Sequence, residues 1–319
     1  MIRQPLVQRV VPGPAMRARQ VLTAHLAGSK FLEVLPGYSG SVLAVVSTAA
    51  YLLGDNDELL WIAGEGTPMH QRCVHVSPDL AGLEAGMEFW TEDHRLMVGN
   101  VVALDVGRAP RWEPPTVGRG APLERVTACF RCTLAAVQSF RQVAGLAPMI
   151  ALVAATADRH RLPALDRMNP LLARVREPIG AIALASQQGD LDAIAKHCRS
   201  LIGLGPGLTP SGDDFIGGLF FTVQCLAAAY PERFCRDQQV VDVLMDWAST
   251  RTNLISYSIL RDMVRGQGPE PLHQLLIALL NDCEPYRALA AVNQLIRIGH
   301  SSGWDMLAGA LTGMLITTS

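Results

Sequence analysis

The chain of 319 residues carries little charge: 18% of its residues are charged, and 27 basic against 29 acidic side chains leave a formal charge of −2. With a pI near 6.4 and no basic stripe interleaved with aromatics, it lacks the electrostatic footprint of a nucleic-acid binder and any general attraction to an anionic membrane. Long apolar runs are missing too. Two uncharged stretches, 215–231 and 306–319, do not reach a comfortable membrane span of about 20 residues. They contain glycines, Gln224 and threonines, and read as core helices. Seven cysteines, odd in number and irregularly spaced in a long chain, fit a reducing, cytoplasmic setting better than a disulfide framework. Cys129 and Cys132 have no second pair to complete a zinc site, and the eight histidines show no ligand spacing such as His-x-x-x-His. Residues 1–30 contain no acid, and none of the continuous apolar centre of a secretory signal; they read as a leading arm and helix.

What is present is apolar, at 49% of the chain, enough to bury a large core in one big or two ordinary domains. From 31 to 115 the texture is that of strands: short apolar runs at 41–47, 50–53, 59–63, 73–76, 87–90, 96–98 and 101–106, separated by Gly, Asp, Asn and Pro. That spacing predicts a compact sheet or small barrel. Asp55-Asn56-Asp57-Glu58 is a polar hairpin tip without the glycine and distal glutamate of a calcium loop. The proline-rich stretch 108–122 marks a boundary, and beyond it apolar residues recur at three- and four-residue intervals. The fold class is therefore α+β: a β-rich N-terminal domain followed by a mainly helical domain over 116–319.

The most informative stretch is Gly203-Leu204-Gly205-Pro206-Gly207-Leu208-Thr209-Pro210-Ser211-Gly212-Asp213-Asp214. Alternating glycines let a backbone turn through positive φ and approach a ligand closely. Ser211 and Asp214 have capping-box spacing, which predicts that Asp214 caps the following helix while Asp213 faces a ligand. The uncharged run after them belongs inside a core. Near the C-terminus the construction returns as Gly299-His300-Ser301-Ser302-Gly303-Trp304-Asp305-Met306-Leu307-Ala308-Gly309. Two helix starts of one design, facing a common cleft, would direct their amide dipoles at one small anion. The plainer alternative is a pair of well-capped core helices.

These two signatures resemble those of the AllH-like proteins, a family that includes the AllH subunit of oxamate carbamoyltransferase, which serves anaerobic purine (allantoin) breakdown beside two further subunits. The resemblance is strong over the C-terminal half and rests on order and texture over the N-terminal half. It implies carbamoyl transfer involving carbamoyl phosphate, oxamate or oxalurate, and other subunits as partners. It assigns no chemistry to particular residues.

The residues themselves supply candidates. Amides at Gly203, Gly205, Gly207, Gly212 and Gly303, and hydroxyls of Thr209, Ser211, Ser301 and Ser302, are donors for an anion. Asp305 repeats Asp214. Two carboxylates beside a bound phosphate repel it by about 1 kcal/mol per charge pair at 4 Å in water. Three arrangements remove the conflict: a bridging Mg²⁺ on Asp213 and Asp214, one aspartate used in capping, or a carboxylate accepting from a ligand NH₂. His300, beside the second signature, is a candidate proton shuttle or a structural donor. Arg251, Thr252 and Ser256 make either a carboxylate-binding wall or a polar face packed on the glycine loop. Besides carbamoyl transfer, two other readings stand: a non-catalytic scaffold or effector-binding subunit, and a Mg²⁺-dependent phosphotransferase or hydrolase. The missing Gly-Lys-(Ser/Thr) excludes a P-loop.

Overall fold

A computed structural model describes residues 20–77, 80, 82–141, 143–160, 169–234 and 237–318. Its first half is built from β1 (Gln20–Gly28), a short helix α1 (Ser29–Val34), β2 (Gly40–Val45), β3 (Ala49–Gly54), β4 (Leu59–Gly64), β5 (Cys73–Val76), β6 (Glu88–Glu92), β7 (Arg95–Val98), β8 (Val102–Asp105) and β9 (Arg111–Trp112). Every apolar run singled out in the sequence from 41 to 106 is a strand. Eight strands close in the order β1-β5-β4-β3-β2-β6-β7-β8, with β8 returning to β1 and β9 added beside the end of β1.

The expected arm and helix over 1–30 needs correction. Residues 1–19 lie outside the described residues, but 20–28 form the longest strand, and that strand shuts the barrel. Leu22 and Ala24 point inward while Val21 is 70% exposed, so the alternation is masked by an apolar residue on the wet side. Its partners are about 47 residues away or more: Ala27 pairs with Val74, Ala24 with Val76 and Gln20 with Val102. The interior is filled by side chains such as Leu52, Ile62, Val74, Phe89, Leu96 and Leu104, as in other barrels of this strand number.

The helical part comprises α2 (Leu123–Gln138), α3 (Ile150–Ala157), α4 (Pro170–Gln188), α5 (Leu191–Cys198), α6 (Ser211–Ala229), α7 (Gln238–Ser249), α8 (Leu254–Met263), α9 (Glu270–Ile277), α10 (Pro285–Leu295) and α11 (Ser302–Met314). Helices α6 and α11 form its centre and are buried along almost their whole length. They touch through glycine. A Cβ at Gly218 would lie 2.1 Å from the Met306 carbonyl oxygen, and one at Gly309 would lie 1.9 Å from that of Phe215. Since Phe215 and Met306 hold equivalent places in the two signatures, this contact is reciprocal. Among the described residues no helix is long and apolar enough to cross a membrane.

The outer face of β3–β5 docks on α8: Leu59, Trp61 and Cys73 pack against Ile255, and β4 is buried on both faces. Beside this contact Arg72 forks onto Asp262 of α8 with Nε–Oδ2 2.5 Å and Nη2–Oδ1 2.9 Å, while its Nη1 reaches Glu58 at 2.5 Å. Glu58 thus belongs to the junction, and only Asp55, Asn56 and Asp57 make a solvated tip. Burial alone would push the Asp262 carboxyl up; the Arg72 fork overrides it and holds the group below the usual carboxylate range.

Candidate functional site

The glycine run joins α5 to α6. Gly203, Gly205 and Gly207 all have positive φ, at +72°, +127° and +96°. A Cβ at Gly203 would meet the Arg251 carbonyl oxygen at 2.3 Å, and one at Gly205 would meet the Ser211 nitrogen at 2.7 Å, so no other residue fits. Among the described residues the N–H groups of Gly205, Gly207, Leu208 and Thr209 make no hydrogen bond within the protein. Pro206, Gly207 and Leu208 are exposed.

Capping differs from the sequence expectation. Pro210 is the N-cap of α6, Ser211 is the first helical residue, and no side chain caps the helix. The Pro210 carbonyl accepts from the amides of Asp213 and Asp214 at 2.9 and 3.1 Å. Neither carboxylate is consumed in capping, and their roles are reversed. Asp213, expected to face a ligand, is bound on both oxygens: Oδ1 accepts from the Gly203 amide at 2.7 Å, and Oδ2 accepts from the hydroxyls of Ser256, at 2.7 Å, and Thr252. It ties the glycine loop to the start of α8. The Asp213–Asp214 pair suggested for Mg²⁺ therefore has only one uncommitted member. Among the described residues no three His, Cys, Asp or Glu side chains cluster to hold a metal.

Asp214, expected to cap, is 4% exposed, and its Oδ2 is buried with no hydrogen-bond partner. Asp305 is in the same state: 0% exposed, Oδ1 accepting from the Leu146 amide at 2.6 Å, Oδ2 buried and unpartnered. The two mouths do converge. Thr209 and Ser302 share a hydrogen bond of 2.9 Å, which joins the first signature to the second. Asp214 is flanked by Ser302 and Thr209, and Asp305 by Ser211 and Ser301, so each acid is met by a serine from the opposite helix mouth. Burial pushes both carboxyls up, against the pull of those donors. Asp305 reaches about 6, and its charge adds to burial in raising Asp214 well above the usual carboxylate range. The charge on Asp214 also extends to Tyr51 of β3, whose hydroxyl burial raises to about 12.

Other candidates are not brought to this seam. His300 is exposed and, among the described residues, makes no hydrogen bond or ion pair. Arg251 lies on the Trp247 ring, 3.4 Å from its centroid, with Nη1 3.1 Å from the Thr250 hydroxyl. Thr252 and Ser256 face Asp213, so this stretch is the polar face packed on the glycine loop. Sequence reasoning missed Leu146, whose amide holds Asp305: it lies in the loop before α3, and nothing in Gly145-Leu-Ala-Pro announces it. Ser256→Ala is expected to lower stability by about 1–3 kcal/mol, because it leaves a buried carboxylate short of a donor; urea unfolding measures it. Cavities of about 580 Å³, at the C-terminal end of α6, and about 470 Å³, between α5 and α7, are lined by none of the seam residues.

Residues 201–314, running from the glycine loop through the end of α11, match the family described as oxamate carbamoyltransferase subunit AllH. No solved structure matches the chain.

Proposed function

We propose, from the premise of that family match, that the chain is a subunit of an oxamate carbamoyltransferase complex of purine catabolism, and that the α6–α11 seam binds its small amide-bearing substrate. The observation that carries this reading is the pair of buried, unpartnered carboxylate oxygens on Asp214 and Asp305. A buried acceptor without a donor costs stability, about 1–3 kcal/mol for a polar group and more for a charge, and persists where a ligand supplies the missing donor. Oxamate, oxalurate and carbamoyl phosphate carry N–H₂ groups for these oxygens. Their own oxygens suit the free amides of Gly205, Gly207, Leu208 and Thr209 at the mouth of α6.

The chemistry then follows from position. In the phosphorolytic direction a phosphate oxygen attacks the carbamoyl carbon of oxalurate, the bond from that carbon to the oxamate nitrogen breaks, and its electron pair stays on nitrogen. A proton delivered to that nitrogen completes oxamate and leaves carbamoyl phosphate. Asp214, held towards its protonated form by burial and by Asp305, is the donor at hand. The exposed Pro206-Gly207-Leu208 crest offers an apolar, open-backbone surface for another subunit to close over the seam.

Calorimetry of the chain, alone and with its partner subunits, against oxamate, carbamoyl phosphate and inorganic phosphate tests this. Saturable binding of the amide-bearing compounds, abolished by Asp214→Asn in a protein that keeps its circular dichroism, is the expected result. Binding that survives the substitution removes Asp214 from the site and favours a scaffold role.

A further inference from the structure

The cavity of about 580 Å³ lies at the far end of α6 from the seam, some 13 residues or about 20 Å of helix beyond Ser211. It is bounded by the linker from the barrel, by the end of α6 and by the turn between α8 and α9. Its shape is fixed from within. The buried His273 ring accepts from the Gly268 amide at 3.2 Å on Nε2, and the Pro115 carbonyl lies against the ring as acceptor, so one side chain fastens the linker to the α8–α9 turn. Burial keeps that imidazole neutral near physiological pH, its pKa lowered to about 4, so it adds no charge to the cavity.

Two polar groups in this wall have no partner. Gln224 is 9% exposed, and its Nε2 is buried on the protein side of the wall, without a hydrogen bond among the described residues. The Arg265 guanidinium is exposed and makes no ion pair or side-chain hydrogen bond among the described residues. The same wall carries the apolar side chains of Val117, Ala227, Ala228 and Phe234. A free fork of N–H donors in a wall that also carries small and aromatic side chains matches a flat molecule with an anionic head.

We propose that this cavity is a second ligand site, taking a small carboxylate carried on a flat ring: the carboxylate on Arg265 and the ring on Ala227, Ala228 and Phe234. The volume lies in the range of small-molecule sites and exceeds what a lone inorganic anion would fill. The proposal is independent of the function assigned to the seam.

The test uses the full ¹⁵N-labelled chain and benzoate as probe, following the side-chain amide signals of Gln224, which are identified by their loss in Gln224→Leu. Saturable shifts with a dissociation constant near about 1 mM are expected. Arg265→Ala weakens them by about tenfold or more, the worth of a charged hydrogen-bonded head group, while Asp305→Asn leaves them unchanged. No saturable shift up to about 10 mM overturns the proposal. So do unchanged binding in Arg265→Ala and saturation by inorganic phosphate in place of benzoate.

Discussion

Gly309→Ala is expected to leave little folded protein. In an ordinary helix the substitution gains up to about 1 kcal/mol of helix propensity. Here the new methyl carbon would stand 1.9 Å from the Phe215 carbonyl oxygen and 2.9 Å from the Leu219 nitrogen, both backbone atoms of the other central helix. Neither can rotate away, so α6 and α11 must separate, and with them the core each helix buries along almost its whole length. Overpacking of this kind costs about 3 kcal/mol or more, a large part of a domain's net stability. Gly217→Ala provides the control, because the atoms nearest its Cβ belong to the flexible Met263 side chain, 2.7 Å away at the sulfur. Chemical denaturation of the two variants, together with their soluble yield, separates the cases. Equal stability would mean that the glycine contact between the helices is not a close one.

Asp305→Asn is expected to act in the opposite direction on stability while removing function. Burial raises the Asp305 carboxyl from its ordinary 3.8 to about 6, so between those values the folded chain holds a proton that the unfolded chain has released. Stability from this group is therefore fully present below about 3.8, declines as pH rises and reaches its floor above about 6. At neutral pH the ionised side chain costs up to about 3 kcal/mol. Asparagine keeps a carbonyl for the Leu146 amide and carries no charge, and its Nδ2 stands where Ser211 and Ser301 can accept. The variant should be about 1–3 kcal/mol more stable than the wild type above neutrality, with the difference shrinking towards pH 4. It should also lose binding of oxamate and carbamoyl phosphate, since an N–H₂ now faces an N–H₂. A gain in stability coupled to loss of binding marks a group retained for its task. A variant that is less stable and still binds would make Asp305 a structural acceptor only.

The pathway assignment has a structural counterpart in where the family match falls. Its bounds, 201–314, enclose both glycine-bearing mouths and the helices that hold them, and exclude the barrel and its linker. The barrel is nonetheless linked to the seam by contacts. Arg72 and the Leu59–Trp61–Cys73 face fix α8, α8 supplies Ser256 to Asp213, and Asp213 holds the Gly203 amide. Four named contacts thus connect the junction to the glycine loop.

Local order in the chain settled a good deal. Short apolar runs between turn residues gave seven of the barrel strands, because their alternation and their breakers are properties of neighbouring residues. The glycine loop and the repeated Ser-Gly-x-Asp starts were legible for the same reason: positive φ and close approach need glycine wherever they occur. Only tertiary structure decided that β1 is a strand, since its partners include Val102 and Val76, and that Asp213 is the acid bound on both oxygens and Asp214 the one with a buried, unpartnered oxygen. Both acids have the same side chain and adjacent positions on one helix. What separates them is which donors arrive from elsewhere, Thr252 and Ser256 on one side and the mouth of α11 on the other, and pairing across such distances in sequence leaves no local trace.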